Sequence, residues 1–280
     1  MLEGRKIQNL SPMERIIFLT FLIPFCLWSQ NPLDQKPDAR SLALGGSGLA
    51  QIDAWSGINN PAALAFLDAN FLSSSHRQVF GIEALQKSAL CGNFKSFGQQ
   101  VALSLEYFGF EYFNQSKIML AYGQKLSKSI ALGLRLGSEA YYIEAGSSGW
   151  VPSVEFFLFG KSASKLQYGL AVKNPFSRKL SQEYRLKPSS FSLGFLYLLK
   201  KELHFSFEAE SAWKESLRLM SGLEYEISKG LFFRLGSNYS DQLNFSGGAG
   251  LQWHKFRLNL SYLQSNAWGS EMCIDLNFQL

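Results

Sequence analysis

Leu217-Arg218-Leu219-Met220-Ser221-Gly222-Leu223-Glu224-Tyr225-Glu226-Ile227, then Ser228-Lys229-Gly230, then Leu231-Phe232-Phe233-Arg234-Leu235-Gly236, is the stretch on which the fold turns. Side chains two apart in an extended chain point the same way. Leu217, Leu219, Leu223, Tyr225 and Ile227 therefore share one face, and Arg218, Gly222, Glu224 and Glu226 share the other. After a three-residue turn the pattern resumes, with Leu231, Phe233 and Leu235 set against Arg234 and Gly236. This is a hairpin with one apolar and one polar face.

The same rule extends to the end of the chain. Leu243, Phe245, Ala249, Leu251 and Trp253 oppose Asn244, Ser246, Gly250 and Gln252. Phe256, Leu258, Leu260 and Tyr262 oppose Arg257, Asn259 and Ser261, and Met272, Ile274, Leu276, Phe278 and Leu280 oppose Glu271, Asp275, Asn277 and Gln279. Working back from here, strands are expected near residues 74, 90, 104, 120, 136, 155, 170, 194, 207, 222, 235, 247, 260 and 275. The expected architecture is an all-β, 14-stranded antiparallel transmembrane β-barrel over residues 69–280. The segments near 74, 90 and 155 alternate poorly, which leaves 12 strands as the alternative count. An even count returns both chain ends to the periplasmic side. Short polar turns at Ser127, Ser162, Lys200, Lys229 and His254 fall at alternate connections, as short periplasmic turns do, and the other set holds the long connection Pro175 to Pro188.

A soluble sandwich alternates too, but its wet face carries many Lys, Glu and Thr. Here the polar faces are rich in Gly, Ser and Asn with isolated charges, which suits a crowded lumen. Tyr107, Tyr142, Tyr197, Trp213, Tyr225, Trp253, Tyr262 and Trp268 fall toward strand ends, where two interfacial girdles would sit. Closure is obligatory in lipid, because an open sheet edge leaves backbone groups unpaired.

Composition agrees. Aromatic residues are 15% of the 280, charged residues are 18%, and the mean hydropathy of −0.04 excludes a bundle of membrane helices. Residues 1–29 read as a secretory signal: Arg5, Lys6 and Arg15, an apolar run from Ile16 to Leu27, and a small residue, Ser29, near the cut. Without that segment, 24 basic residues face 20 acidic ones, too mild an excess for a nucleic-acid partner. Cys91 and Cys273 remain, on strands two positions apart, about 10 Å at the usual spacing, beyond the reach of a disulfide.

The polar faces nominate Arg135, Glu139, Glu210, Arg218, Glu224, Arg234, Arg257 and Asp275 as lumen charges. If the turn pairs Ile227 with Leu231, Glu224 stands opposite Arg234, and Glu210 can face Arg218. Mixed signs favour cross-strand pairing over a selective ring.

Residues 30–68 do not alternate and are expected to form a small plug. The stretch 39–67 contains Arg40, Gly45, Gly46, Asp53, Asn60, Pro61 and Ala62, and Asn60-Pro61 is a good helix start, because Asn caps and Pro tolerates the first helical position. The run Ala39-Arg40-x-x-Ala43-x-Gly45-Gly46, then Asp53-Ala54, then Asn60-Pro61-Ala62-x-Leu64-Ala65, resembles the N-terminal region of the FadL superfamily of outer-membrane proteins. Within it the likeness is to the PorV/PorQ proteins of the type IX secretion system of Bacteroidetes. That resemblance implies an outer-membrane barrel serving protein secretion or surface attachment, with secretion-system proteins as partners. The alternative it implies is FadL-like passive transport of small hydrophobic molecules. The end Phe278-Gln279-Leu280 resembles the signal read by the barrel-assembly machinery, so that machinery and outer-membrane lipid are expected partners.

An outer-membrane lipid-modifying enzyme ranks third. It needs a Ser activated by a His, and the chain has only His76, His204 and His254, of which His204 lies two residues from Ser206 in the lumen. No metal-ligand cluster, phosphate loop or dinucleotide fingerprint occurs, so no catalytic residue and no cofactor are expected.

Overall fold

The computed structural model describes residues 35–96, 99–144, 148–162, 165–175, 189–212, 216–265 and 269–280. The signal segment, with its cut near Ser29, lies outside the described residues, as do Trp213 and Trp268.

Fourteen antiparallel strands close into a barrel. The first seven are β1 (Phe71–Gln78), β2 (Gln86–Ser96), β3 (Gln99–Phe110), β4 (Phe113–Lys125), β5 (Ile130–Ile143), β6 (Gly149–Lys161) and β7 (Leu166–Lys173). The rest are β8 (Ser190–Leu198), β9 (Leu203–Ala212), β10 (Arg218–Ser228), β11 (Leu231–Tyr239), β12 (Leu243–Trp253), β13 (Phe256–Ser265) and β14 (Gly269–Gln279). β14 closes on β1 with Phe71 opposite Gln279 and Ser75 opposite Asp275, so no edge is left open. Leu280 N–H also donates to the Asn70 carbonyl at 3.0 Å, so the barrel begins and finishes at one rim, here called the terminal end.

The alternation translates into burial. Leu103, Leu120, Leu136, Leu193, Leu235, Leu251, Leu260 and Ile274 lie exposed on the outside, and their strand neighbours point inward. Outward aromatics form two levels: Tyr197, Tyr225 and Trp253 toward the terminal end, and Tyr107, Tyr142 and Tyr262 toward the opposite end.

The three poorly alternating segments are strands for identifiable reasons. β6 turns Phe157 and Phe159 inward as well as Phe156 outward, because its inner face packs on apolar plug residues Ala62, Ala63 and Phe66. β2 turns Ala89 and Cys91 onto Trp55, Ile58 and Leu64. β1 is polar on both faces, with Ser73, Ser75 and Arg77 buried inside and Ser74, His76 and Gln78 outside. Tertiary packing and closure, not periodicity, hold these three.

One register expectation needs correction. Glu224 does stand opposite Arg234, but Ser228 and not Ile227 pairs with Leu231, because the ladder shifts between Glu226 and Ser228. This β-bulge adds one residue next to the turn, where Gly230 has φ +84° and its N–H donates to Glu226 Oε1 at 2.9 Å.

Cys91 and Cys273 are free and buried, with β1 between their strands.

Candidate functional site

The lumen holds residues 35–67, which contain three short helices: α1 (Ala39–Ala43), α2 (Ser56–Asn59) and α3 (Pro61–Leu64). Each starts or is held by local chemistry. Asp38 caps α1 by accepting from Ser41 N–H at 2.7 Å, and its other oxygen accepts from Asn59 Nδ2 at 2.9 Å. Asn60 caps α3 by accepting from Ala62 N–H at 3.1 Å, with Pro61 at the first helical position, and its Nδ2 donates to the Leu49 carbonyl at 2.7 Å. Gly45 and Gly46 leave α1 with φ of +72° and +98°, a region open to glycine at no steric cost.

Plug and wall approach backbone to backbone. A Cβ on Gly236 of β11 would lie 2.2 Å from Gly45 N, and one on Gly133 of β5 would lie 2.3 Å from Ala62 N. Gly123, Gly169, Gly222 and Gly248 face the plug at similarly short range. In the run Gly247-Gly248-Ala249-Gly250, only Gly248 meets the plug, against Ala43, whereas Gly250 leaves room for the Arg234 guanidinium.

Charge ties the plug to the wall. Arg40 donates to Glu224 through Nε and Nη2 (2.9 and 2.7 Å) and to Asp53 through Nη1 (2.9 Å). Glu224 also accepts from Arg234 Nε at 2.6 Å. Burial works against the Arg40 charge, yet Glu224 and Asp53 hold its pKa above the ordinary arginine value. Burial pushes the Asp53 carboxyl up, and Arg40 pulls it partly back. Asp275 accepts from the Ala39 N–H at 2.8 Å and from Asn259 and Asn277, each at 2.7 Å. Glu210 pairs with Arg218 at 2.9 Å, and Arg257 lies 5.0 Å from the Phe232 ring, toward the terminal end.

Arg135 and Glu139 belong to a second network on the far wall. Arg135 bonds Glu106 (2.7 Å) and Glu155 (3.3 Å), and Lys117 bridges Glu155 (2.7 Å) to Glu139 (3.0 Å). Glu106, Lys117 and Glu155 were legible by the parity rule that nominated Arg135, since each adjoins an outward apolar residue on its strand (Leu105, Ile118 and Phe156). Glu208 was missed as well. It accepts from Lys36 Nζ at 2.6 Å and from the Gly48 and Leu49 N–H groups at 2.9 and 3.0 Å, partners in a segment without periodicity. Arg77 and Glu271 form another buried pair linking β1 to β14.

His204 and Ser206 face the lumen but do not act together. His204 Nδ1 lies 3.5 Å from Glu224, while Ser206 Oγ is 2.6 Å from Ser47 Oγ. Among the described residues no cluster of His, Cys, Asp and Glu is arranged to hold a metal ion, and no helix is long and apolar enough to cross a membrane.

Outside the barrel wall lies a groove of about 1100 Å³. Phe233, Leu235, Leu260, Tyr262, Met272 and Ile274 give it an apolar floor, dented at Gly247 and Ala249, and His76, Gln78 and Glu83 add polar groups toward the opposite end. His76 Nδ1 is 3.1 Å from Ser88 Oγ on the same outer surface.

No protein-family model and no curated protein matches the chain. Solved structures do match. The Ralstonia pickettii toluene transporter TbuX superposes with a TM-score of 0.68 at 9% identity, over 89% of this chain and 100% of that one. A TodX monoaromatic hydrocarbon channel mutant gives 0.67 at 11%, over 87% and 97%. A Pseudomonas aeruginosa FadL homologue gives 0.60 at 11%, over 86% and 97%. At these identities the likeness establishes the fold: a FadL-like barrel.

Proposed function

We propose that this chain is an outer-membrane barrel that passes small hydrophobic molecules passively. The observation that carries the reading is the groove on the outer wall. Its apolar lining with a few polar groups at one end suits a small hydrophobic molecule, and it sits on a barrel whose lumen holds buried plug side chains. The outward apolar band supports a barrel set in lipid, since water would not tolerate so continuous an apolar surface. The similar structures described as toluene and monoaromatic hydrocarbon channels support the substrate class. No catalytic role is assigned, as His204 and Ser206 are engaged with other partners.

A role in protein secretion or surface attachment, as PorV/PorQ-like proteins would have, ranks second. It rests on the plug motif alone, and that motif is common to the wider superfamily.

A gene deletion scored two ways separates the readings. Slower whole-cell uptake of labelled toluene, with surface proteins delivered normally, is the expected result. Intact uptake with lost surface proteins would replace the transport reading by the secretion reading, and loss of neither would leave an assembly or structural role.

A further inference from the structure

Among the described residues the two rims of the barrel differ in charge, and nothing in the plug or the groove uses that difference. Each of the six connections at the terminal end carries a lysine in or beside the turn, exemplified by Lys95, Lys128, Lys165, Lys200, Lys229 and Lys255. The acidic residues around this rim are few: Asp68, Glu202 and Glu226, and Glu226 is engaged with the Gly230 N–H. In the connections of the opposite end, the charged side chains among the described residues are Glu83, Glu111, Glu144 and Asp241. The long connection 174–189, whose sequence holds Arg178, Lys179, Arg185 and Lys187 against Glu183, lies largely outside the described residues.

The position of the terminal-end lysines is as informative as their number. Phe94, Leu126, Leu199, Ile227 and Trp253 are exposed, apolar, and one or two residues before a rim lysine in the chain. Lys255 Nζ lies 6.0 Å from the Phe278 ring, which packs on Phe256 with centroids 4.8 Å apart, both on the outward face. This is the arrangement of a snorkelling cation, with its stem over apolar surface and its ammonium at headgroup depth. Lys125 and Lys161 differ, since both lie over Phe66 of the plug, at 5.0 and 4.5 Å. Successive turns stand two strands apart, about 10 Å, comparable to the Debye length of about 8 Å at physiological salt, so the fields of neighbouring lysines overlap.

We infer that this lysine rim binds the anionic headgroups of glycerophospholipids in the periplasmic leaflet and so fixes the depth and direction of the barrel. The inference rests on the outer-membrane reading. A soluble acidic protein would meet the same charge, but exposed Leu126, Leu199, Ile227 and Trp253 interleaved with the lysines fit a lipid boundary better.

Trp253, two residues from Lys255, supplies the probe. The full-length protein is reconstituted in phosphatidylcholine vesicles containing equal fractions of brominated phosphatidylglycerol or brominated phosphatidylcholine. Quenching of the Trp253 signal is taken as the difference from Trp253→Phe. The inferred contact predicts a preference for the anionic lipid of about 3- to 5-fold. That preference should fall to about 1 in the combined Lys128→Gln, Lys200→Gln, Lys229→Gln and Lys255→Gln protein, and in 1 M salt, where the Debye length is about 3 Å. Equal quenching by both lipids in the wild type would overturn the inference and leave the rim to a soluble acidic partner. An unchanged preference in the combined variant would also overturn it. Protease resistance of the reconstituted barrel keeps the two readings apart: failure to insert in any vesicle strikes the membrane reading, while insertion without preference strikes the rim alone.

Discussion

Glu224 is where wall and plug meet most closely, with Arg234 from its neighbouring strand and Arg40 from the plug both donating to it. Removing one partner of a buried ionic cluster leaves the others uncompensated, at about 3–5 kcal/mol. Glu224→Ala should therefore lower the heat-unfolding midpoint of the detergent-solubilised barrel clearly more than Glu210→Ala, whose partner Arg218 is more exposed. Equal shifts in the two variants would contradict the assigned geometry. Asn60 offers a second test, because it caps α3 and also satisfies the Leu49 carbonyl. Asn60→Ala should cost about 1 kcal/mol for the cap alone and more for the orphaned carbonyl. Asn60→Asp keeps the capping acceptor but sets a buried carboxylate oxygen against the Leu49 carbonyl in place of a donor, and should cost at least as much as Asn60→Ala, as read by thermal unfolding.

Strands were legible wherever one face meets lipid and the other a polar lumen. The hairpin of β10 and β11 reads directly, and the pairing of Glu224 with Arg234 followed from it. The bulge did not, since one inserted residue beside a glycine turn leaves the alternation on both sides intact. β2 and β6 lost their alternation because the plug presents an apolar surface to their inner faces, so local polarity reports the neighbour and not the lumen. The same packing predicts that Phe159→Ala on β6, which removes a fully buried ring packed at a tilt with its centroid 5.5 Å from that of Phe66, costs about 3–5 kcal/mol. Leu136→Ala on the lipid face of β5 should cost much less, in the same unfolding assay.

At the scale of the whole molecule the plug decides what the barrel can pass. Gly236 admits the backbone of Gly45 at a distance no side chain could share. Gly236→Leu should displace that part of the plug while leaving the outward face of β11 untouched. In planar bilayers the wild type is expected to show little ionic conductance, and Gly236→Leu larger and noisier steps. A wild type with porin-like steady conductance would show that the filled lumen is not the resting state in lipid.

Alternation in the sequence is enough to specify a barrel with an even count of 12 or 14 strands and the inward direction of its charges, because a strand between lipid and lumen must alternate with period two and closure follows from the bilayer; packing on the plug makes the count 14. Asn60-Pro61 likewise announced a helix start through local capping chemistry. Which plug groups meet which wall residues is set by tertiary packing alone. Arg40 with Glu224, Glu208 with the Gly48 and Leu49 N–H groups, and Gly236 against Gly45 all join residues more than 150 positions apart. The plug has no periodicity that fixes its register on the wall, so its partners are set by how it fits inside the closed barrel.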